Sequence, residues 1–300
     1  MGWERWRTRH VRRADSLDRA TLTAVLALAS DPLARFGLAL ELTLALAYLL
    51  AAKRVGRYGR AWSRYRIEAF LAGLAVIAVA LQSRLADYDD TVFWVHMLQH
   101  VLIMALAPML LVLGAPVTLA LRALPTRDAR RIVGLTRSRF VGGLCGPGGA
   151  IHLPLDYYGL MYLYLLTPAY ELSETNAVFH EFVHVAFIAC GLLFWLPVIG
   201  LDTVRWRPAY RTKLWLVGWG LPANLVLGLI LIRSTVSVAP SVSPSDARLG
   251  GWIVLVCGEL LTVAGLCVVV AQHRMATRRI AVRAAATTRR RGVQPMVELP

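Results

Sequence analysis

Long runs of apolar residues alternate with short charged stretches along the whole of this sequence. A helix that crosses the hydrocarbon core of a bilayer needs roughly 20 consecutive, mostly apolar residues. Runs that approach this length predict seven transmembrane helices, at residues 32–52, 66–83, 92–113, 152–169, 178–200, 213–233 and 249–271. The pattern therefore indicates an all-α, polytopic transmembrane helix bundle of about seven spans.

Composition supports the same fold class and changes how the charge is interpreted. Hydrophobic residues make up 57% of the 300-residue chain, and the mean hydropathy is +0.55. A net charge of +15 would favour nucleic-acid binding in a soluble protein. Here the arginines lie mainly in the stretches between apolar runs, as topology-determining residues of membrane proteins do. We therefore expect the lipid bilayer as a partner and no nucleic acid.

The distribution of loop charges predicts the orientation. Basic residues follow the first, third, fifth and seventh runs, whereas the alternate loops contain Asp87, Asp89, Asp90, Glu171 and Glu174. Since basic loops stay on the cytoplasmic side, the N-terminus is expected outside and the C-terminus in the cytoplasm. The Arg-rich, Lys-poor usage favours a bacterium, and hence its plasma (inner) membrane as the location.

Both termini are basic. We expect a membrane domain at 31–273, a basic cytoplasmic tail at 274–300 and a basic tail at 1–30. The N-terminal charge conflicts with the predicted outside location, and three explanations are open. The tail could be exported despite its charge, form the start of a signal peptide, or contain an interfacial amphipathic helix at 16–29, which we favour.

Two histidine pairs are the candidate functional residues. His96 and His100 begin the third span, and His180 and His184 begin the fifth. A spacing of four places both imidazoles of a pair on one helix face. Both spans are expected to run inward from the outer surface, so the four histidines share one layer near that surface. Ionisable groups inside a bilayer span are costly, which makes them functional candidates.

The neighbouring residues suggest which metal such a layer would bind. Imidazole suits copper, zinc, iron and nickel, while thioether sulfur selects Cu(I). Methionines beside the histidines therefore favour copper, as Cu(I). The auxiliary candidates, which are nearby or intramembrane polar and sulfur-containing residues, are Met97, Met104, Glu181, Glu41, Asn224 and Glu259.

Several alternatives remain open from the residues alone. The histidines could hydrogen-bond to one another or to Glu181 and serve packing. The stretch from His180 to His184 fits the letters of the HExxH zinc-protease motif, which also needs a third ligand and water access. A histidine from each helix could bind a b-type haem in a redox protein. A metal transporter would continue inward through Glu41, Asn224 and Glu259.

The chain resembles the CtaG-like family of cytochrome c oxidase assembly factors. The matching segments are His96-Met97-Leu98-Gln99-His100 with Ala107-Pro108 and Leu113-Gly114-Ala115-Pro116; Thr167-Pro168-Ala169-Tyr170-Glu171-Leu172-Ser173 with His180-Glu181-Phe182-Val183-His184 and Phe194-Trp195-Leu196-Pro197; and Asp246 with Leu249-Gly250-Gly251-Trp252 and Gly258-Glu259. In two places the chain departs from the family pattern. Asn224 stands where members often have a histidine, and a Trp-His pair near Thr167 is missing.

The resemblance implies a role in the maturation of haem–copper oxidases, without turnover chemistry of its own. It implies that His96, His100, His180 and His184 bind copper. The implied partners are a cytochrome c oxidase subunit, which would receive the copper, and an extracytoplasmic copper carrier, which would supply it.

Overall fold

A computed structural model describes residues 32–57, 61–83, 85, 86, 88, 91–136, 149–202, 207–233 and 242–291. The predicted N-terminal tail, with its interfacial helix at 16–29, lies outside these residues.

The described residues are almost entirely helical. In chain order the helices are α1 (Pro32–Arg57), α2 (Arg64–Gln82), α3 (Phe93–Val101), a π-helical turn (Leu102–Leu106), α4 (Ala107–Leu113), α5 (Pro116–Ala123), α6 (Thr126–Thr136), α7 (Gly149–Leu165), α8 (Ala169–Thr175), α9 (Ala177–Ile199), α10 (Tyr210–Gly218), α11 (Gly220–Arg233) and α12 (Pro244–Arg291).

Six helical segments of the described residues are long and apolar enough to cross a membrane. They are α1, α2, the segment from α3 to α5, α9, the α10–α11 segment and α12 up to Val282. The fourth predicted span is α7, which has 17 residues and contains Pro154. It packs against α9 and α10. The predicted helical membrane bundle is confirmed.

The third span is the centre of the bundle and is not a uniform α-helix. It is the most buried of the six candidate spans. A π-helical turn separates α3 from α4, and Ala115, with φ 51°, ends α4 in the left-handed region before Pro116 starts α5. π-turns inside helices often occur at functional sites. This one follows His100 by two residues.

Two glycines let neighbouring helices approach the third span closely. A methyl group at Gly191 of α9 would overlap the carbonyl oxygen of Met104 in the π-helical turn. A methyl group at Gly250 of α12 would lie 2.5 Å from Cε1 of Phe93 in α3. The third span is therefore held between α9 and α12, and the beginning of α3 is fixed against α12.

The last helix is longer than its apolar run predicts. The expected span ends at residue 271, whereas α12 continues to Arg291, for 48 residues in all. Residues 266–291 contain neither glycine nor proline, and Gly292 follows the last helical residue. Because nothing in this stretch disfavours a helix, the basic segment continues the span.

Candidate metal centre

Each histidine pair lies just after a helix start that a side chain caps. The carboxylate of Asp246 in α12 accepts hydrogen bonds from the amides of Phe93 and Trp94, at 2.7 and 3.3 Å. Asn176 Oδ1 accepts from the amide of Phe179 at 3.0 Å at the start of α9. Such caps satisfy amides that have no partner within the helix. They fix where the first two turns, which carry the histidines, begin.

The two pairs converge because the third span and α9 are neighbours in the structure, a contact that the sequence left open. The rings of His96 and His180 are stacked with centroids 5.2 Å apart, and those of His100 and His184 are 5.6 Å apart. Within the pairs the centroids are 4.2 and 4.4 Å apart. One ring nitrogen each from His96, His100 and His180 lie within 4.8 Å of one another. We call these four residues the histidine cluster.

Burial distinguishes this cluster from a set of surface histidines. His100 is fully buried, and His184 is 4% exposed. Neither ring nitrogen of His100, nor either nitrogen of His184, has a hydrogen-bond partner among the described residues. A buried polar group without a partner costs roughly 1–3 kcal/mol. A metal ion bound to the unprotonated nitrogen of each ring would remove that cost for this nitrogen, so the donor set fits a metal.

Tyr164 of α7 belongs to the site although the sequence analysis did not identify it. Its hydroxyl lies 3.0 Å from His96 Nε2 and 2.6 Å from Ser173 Oγ, and Ser173 in turn lies 2.6 Å from the carbonyl oxygen of Tyr170. All four residues are buried. The only advance signal was the run of tyrosines in α7, which does not distinguish one tyrosine from another.

Aromatic rings pack against the histidine cluster. Phe187 is fully buried and meets the ring of His100 edge-on at 4.6 Å. Tyr170 packs edge-on against both His96 and Phe93, each with centroids 5.4 Å apart. Phe187 follows His184 by three residues, so helical spacing places it on the histidine face of α9.

Two of the auxiliary residues line a cavity one turn deeper than His100. The cavity has a volume of about 60 Å³, and its lining includes Met104, Met161 and Asn224. The amide of Asn224 donates to the hydroxyl of Thr262 at 3.1 Å. A cavity of this size can hold more than one water molecule or an ion. Asn224 thus lines the cavity and is not part of the histidine cluster.

The other auxiliary residues occupy different places. Met97 is fully buried and lies beside Gly250 of α12. Glu181 is half exposed, with Oε2 3.7 Å from His184 Nδ1. Glu259 directly follows Gly258, and Gly258 lines the cavity. Glu41 of α1 is buried beside Gln82 of α2.

Comparison with known proteins identifies relatives of this chain. Residues 46–275 match the family of cytochrome c oxidase caa3 assembly factors, Caa3_CtaG. Uncharacterized proteins of Mycobacterium bovis and Mycobacterium tuberculosis are each 30% identical over 258 residues, and one of Mycobacterium leprae is 28% identical over 263 residues. No solved structure matches the chain.

The extent of these matches differs between the chain and its relatives. The mycobacterial alignments cover 80–82% of this chain but only 39–40% of the relatives, so the chain spans about two fifths of their length. The family match covers most of the chain and includes both histidine pairs. The chain therefore belongs to the family of cytochrome c oxidase caa3 assembly factors.

Proposed function

We propose that this protein binds copper, as Cu(I), at the histidine cluster and passes it to a cytochrome c oxidase subunit during assembly. The observation that carries the proposal is His100, a fully buried imidazole with no hydrogen-bond partner for either nitrogen among the described residues, in contact with His96 and His184. Four imidazoles gathered in this way are a ligand set for a soft or borderline metal rather than for a hard cation.

The arrangement suits a metal that is held and then released. More nitrogens converge than a low-coordinate Cu(I) ion requires, so one ligand can leave while others hold the ion. Met104 lies one turn below His100 and offers a thioether at the wall of the cavity. Because thioethers favour Cu(I), Met104 is a candidate transient ligand during exchange.

The predicted orientation supports the direction of transfer. With the basic loops and the C-terminus in the cytoplasm, the cluster lies near the outer surface. There it can receive copper from an extracytoplasmic carrier and deliver it to an oxidase centre on the same side. The role as an assembly factor follows from the family, and the copper chemistry is our proposal for how this chain contributes to it.

Direct contact between the histidine rings favours a small ion over a haem. A bis-histidine haem lies between its two axial imidazoles. In the described residues, the rings of His96 and His180 stack against each other instead. A Soret band in the purified protein would contradict this argument.

The cavity below the cluster favours a second function, transport of the metal across the membrane. Met104 and Asn224 line it, so a polar and sulfur-containing path continues inward for one turn. Copper uptake into vesicles that contain only this protein distinguishes the two functions. A carrier with an outer site alone shows no uptake.

The metal content of the detergent-purified protein tests the proposal. After loading with Cu(I) under reducing conditions, the wild type is expected to retain about one copper per chain, because the cluster is one ligand set. His100→Ala should lose most of it. His273→Ala is the matched control, since His273 is exposed and stacks on Tyr210. Equal copper retention by His100→Ala and the wild type would refute copper binding at the cluster.

A cellular measurement tests the transfer. The double variant His96→Ala/His184→Ala should lower the copper content and activity of the oxidase while the protein remains in the membrane at its normal level. Normal oxidase copper in cells that carry this variant would show that the cluster does not supply it.

A further inference from the structure

The hydrogen-bond chain from His96 to the backbone of α8 has a fixed direction. The carbonyl oxygen of Tyr170 can only accept, so the Ser173 hydroxyl at 2.6 Å donates its proton to it. Ser173 Oγ then accepts from the Tyr164 hydroxyl at 2.6 Å. Tyr164 Oη, whose proton is used, accepts from Nε2–H of His96 at 3.0 Å.

This direction determines the tautomer of His96. A neutral imidazole has one N–H group, and the nitrogen that does not carry it presents a lone pair. With the proton on Nε2, the lone pair of His96 is on Nδ1. Histidine ligands of metals usually donate their second N–H to a fixed acceptor, which sets the ring orientation and raises the basicity of the ligating nitrogen.

We propose that Tyr164 and Ser173 are positioning residues of the metal centre, which hold His96 as the Nε2–H tautomer so that it binds the metal through Nδ1. This inference rests on the proposed function, because it concerns how the same cluster binds Cu(I). The burial of all the groups supports it, since bulk water cannot replace the hydroxyl of Tyr164 at His96. The hydrogen-bond chain ends on a backbone carbonyl of α8, so it connects α8 to His96 on α3.

The Cu(I) affinity of the full-length protein in detergent, measured by competition with a chromogenic chelator, tests the inference. Tyr164→Phe removes the acceptor of the His96 proton and should weaken Cu(I) binding about 10–100-fold, as the loss of such partners does. Ser173→Ala should weaken it in the same direction. Tyr162→Phe is the matched control, because its hydroxyl lies on the same helix and donates to the Ala223 carbonyl at 2.7 Å.

A double-mutant cycle separates positioning from general damage to the fold. If Tyr164 acts through His96, Tyr164→Phe has no further effect on Cu(I) affinity in a His96→Ala background. A loss of similar size in both backgrounds would overturn the inference. Thermal unfolding midpoints of all variants identify any that fail to fold, and Ser173→Ala then provides the second route to the same comparison.

Pulsed EPR of the Cu(II)-loaded protein provides a spectroscopic measurement. The signal of the remote imidazole nitrogen depends on the hydrogen bond of its N–H. It should therefore change in Tyr164→Phe and stay constant in Tyr162→Phe. Failure of the wild type to bind copper would overturn both the proposed function and this inference. Normal copper binding that is insensitive to Tyr164→Phe would overturn the inference alone.

Discussion

At the scale of single residues, polar side chains with and without hydrogen-bond partners have different roles in this protein. His100 has no hydrogen-bond partner among the described residues, while Asp246 and Asn176 are engaged by backbone amides. The partly buried carboxylate of Asp246 stabilises the start of α3 by accepting from its first amides. A buried imidazole whose nitrogens have no partner among the described residues is costly, which is why we propose the histidine cluster as a metal site.

Asp202, which lies outside the membrane spans, allows a test of how the stability of the protein depends on pH. It is fully buried, and its Oδ1 accepts from the amide of Thr118 at 2.7 Å. Burial raises the pKa of this carboxyl above its ordinary value, and the Thr118 hydrogen bond and the positive charge of Arg66 offset this only in part. The folded protein therefore holds the proton more tightly than the unfolded chain.

The raised pKa of Asp202 determines how the free energy of unfolding changes with pH. A folded-state pKa above the unfolded value makes the free energy of unfolding fall as pH rises from about 4, the ordinary pKa of an aspartate, through the raised value. Asp202→Asn should remove this decline, so its melting temperature relative to the wild type should increase with pH in that window. If the difference in melting temperature between Asp202→Asn and the wild type stays constant or becomes smaller as pH rises, the ionised, buried carboxylate of Asp202 does not destabilise the folded protein.

At the scale of elements, the contact between α9 and the π-helical turn brings the two histidine helices together. Gly191 lies against the Met104 carbonyl and against Pro108, whose Cγ would be 2.6 Å from an added methyl group. A larger residue must push α9 away from the third span. The distance between the two histidine pairs therefore depends on the absence of a side chain at residue 191.

Gly191→Ala should destabilise the protein by about 1–3 kcal/mol, the usual cost of overpacking, and should weaken Cu(I) binding. Thermal unfolding in detergent and chelator competition measure the two effects. Gly159→Ala is the control, because a methyl group at Gly159 meets nothing within 4 Å. If both substitutions lower the melting temperature equally, the close approach of α9 has no special role.

Several elements could be predicted from the sequence because apolar run length is a strong signal. The predicted spans that became α1, α2 and α9 end within five residues of the observed helix ends. The third predicted span, 92–113, matches α3 to α4, whereas the observed apolar segment continues through α5 to Ala123. The end of α12 was not predicted because the length of an apolar run reflects the thickness of the bilayer. The helix itself continues into the basic residues that follow the run. The π-helical turn has no composition that distinguishes it from an α-helix.

The candidate site was predictable only in part for a similar reason. Spacing of four identifies His96 with His100 and His180 with His184, since both members of a pair lie on one helix face. The contact between the pairs, and the participation of Tyr164, depend on how α3, α7 and α9 pack. No pattern within one element encodes such contacts, so they required the structure.

At the scale of the whole molecule, the proposal depends on the side of the membrane that the histidine cluster faces. Loop charges predict a cytoplasmic C-terminus. A C-terminal green fluorescent protein fusion should therefore be fluorescent, and an alkaline phosphatase fusion at the same position should be inactive. The opposite pattern would place the cluster at the cytoplasmic face and rule out receipt of copper from an extracytoplasmic carrier.

The position of the cluster along its helices limits the shape of any exchange partner. His100 and His184 each follow the first residue of their helix by seven positions, which places them about 10 Å below the helix starts at 1.5 Å per residue. A flat protein surface docked on the helix ends could not reach an ion at that depth. If the cluster passes Cu(I) to a partner as we propose, we expect that partner to present its own ligand on a protruding loop or an extended tail, narrow enough to enter between α3 and α9.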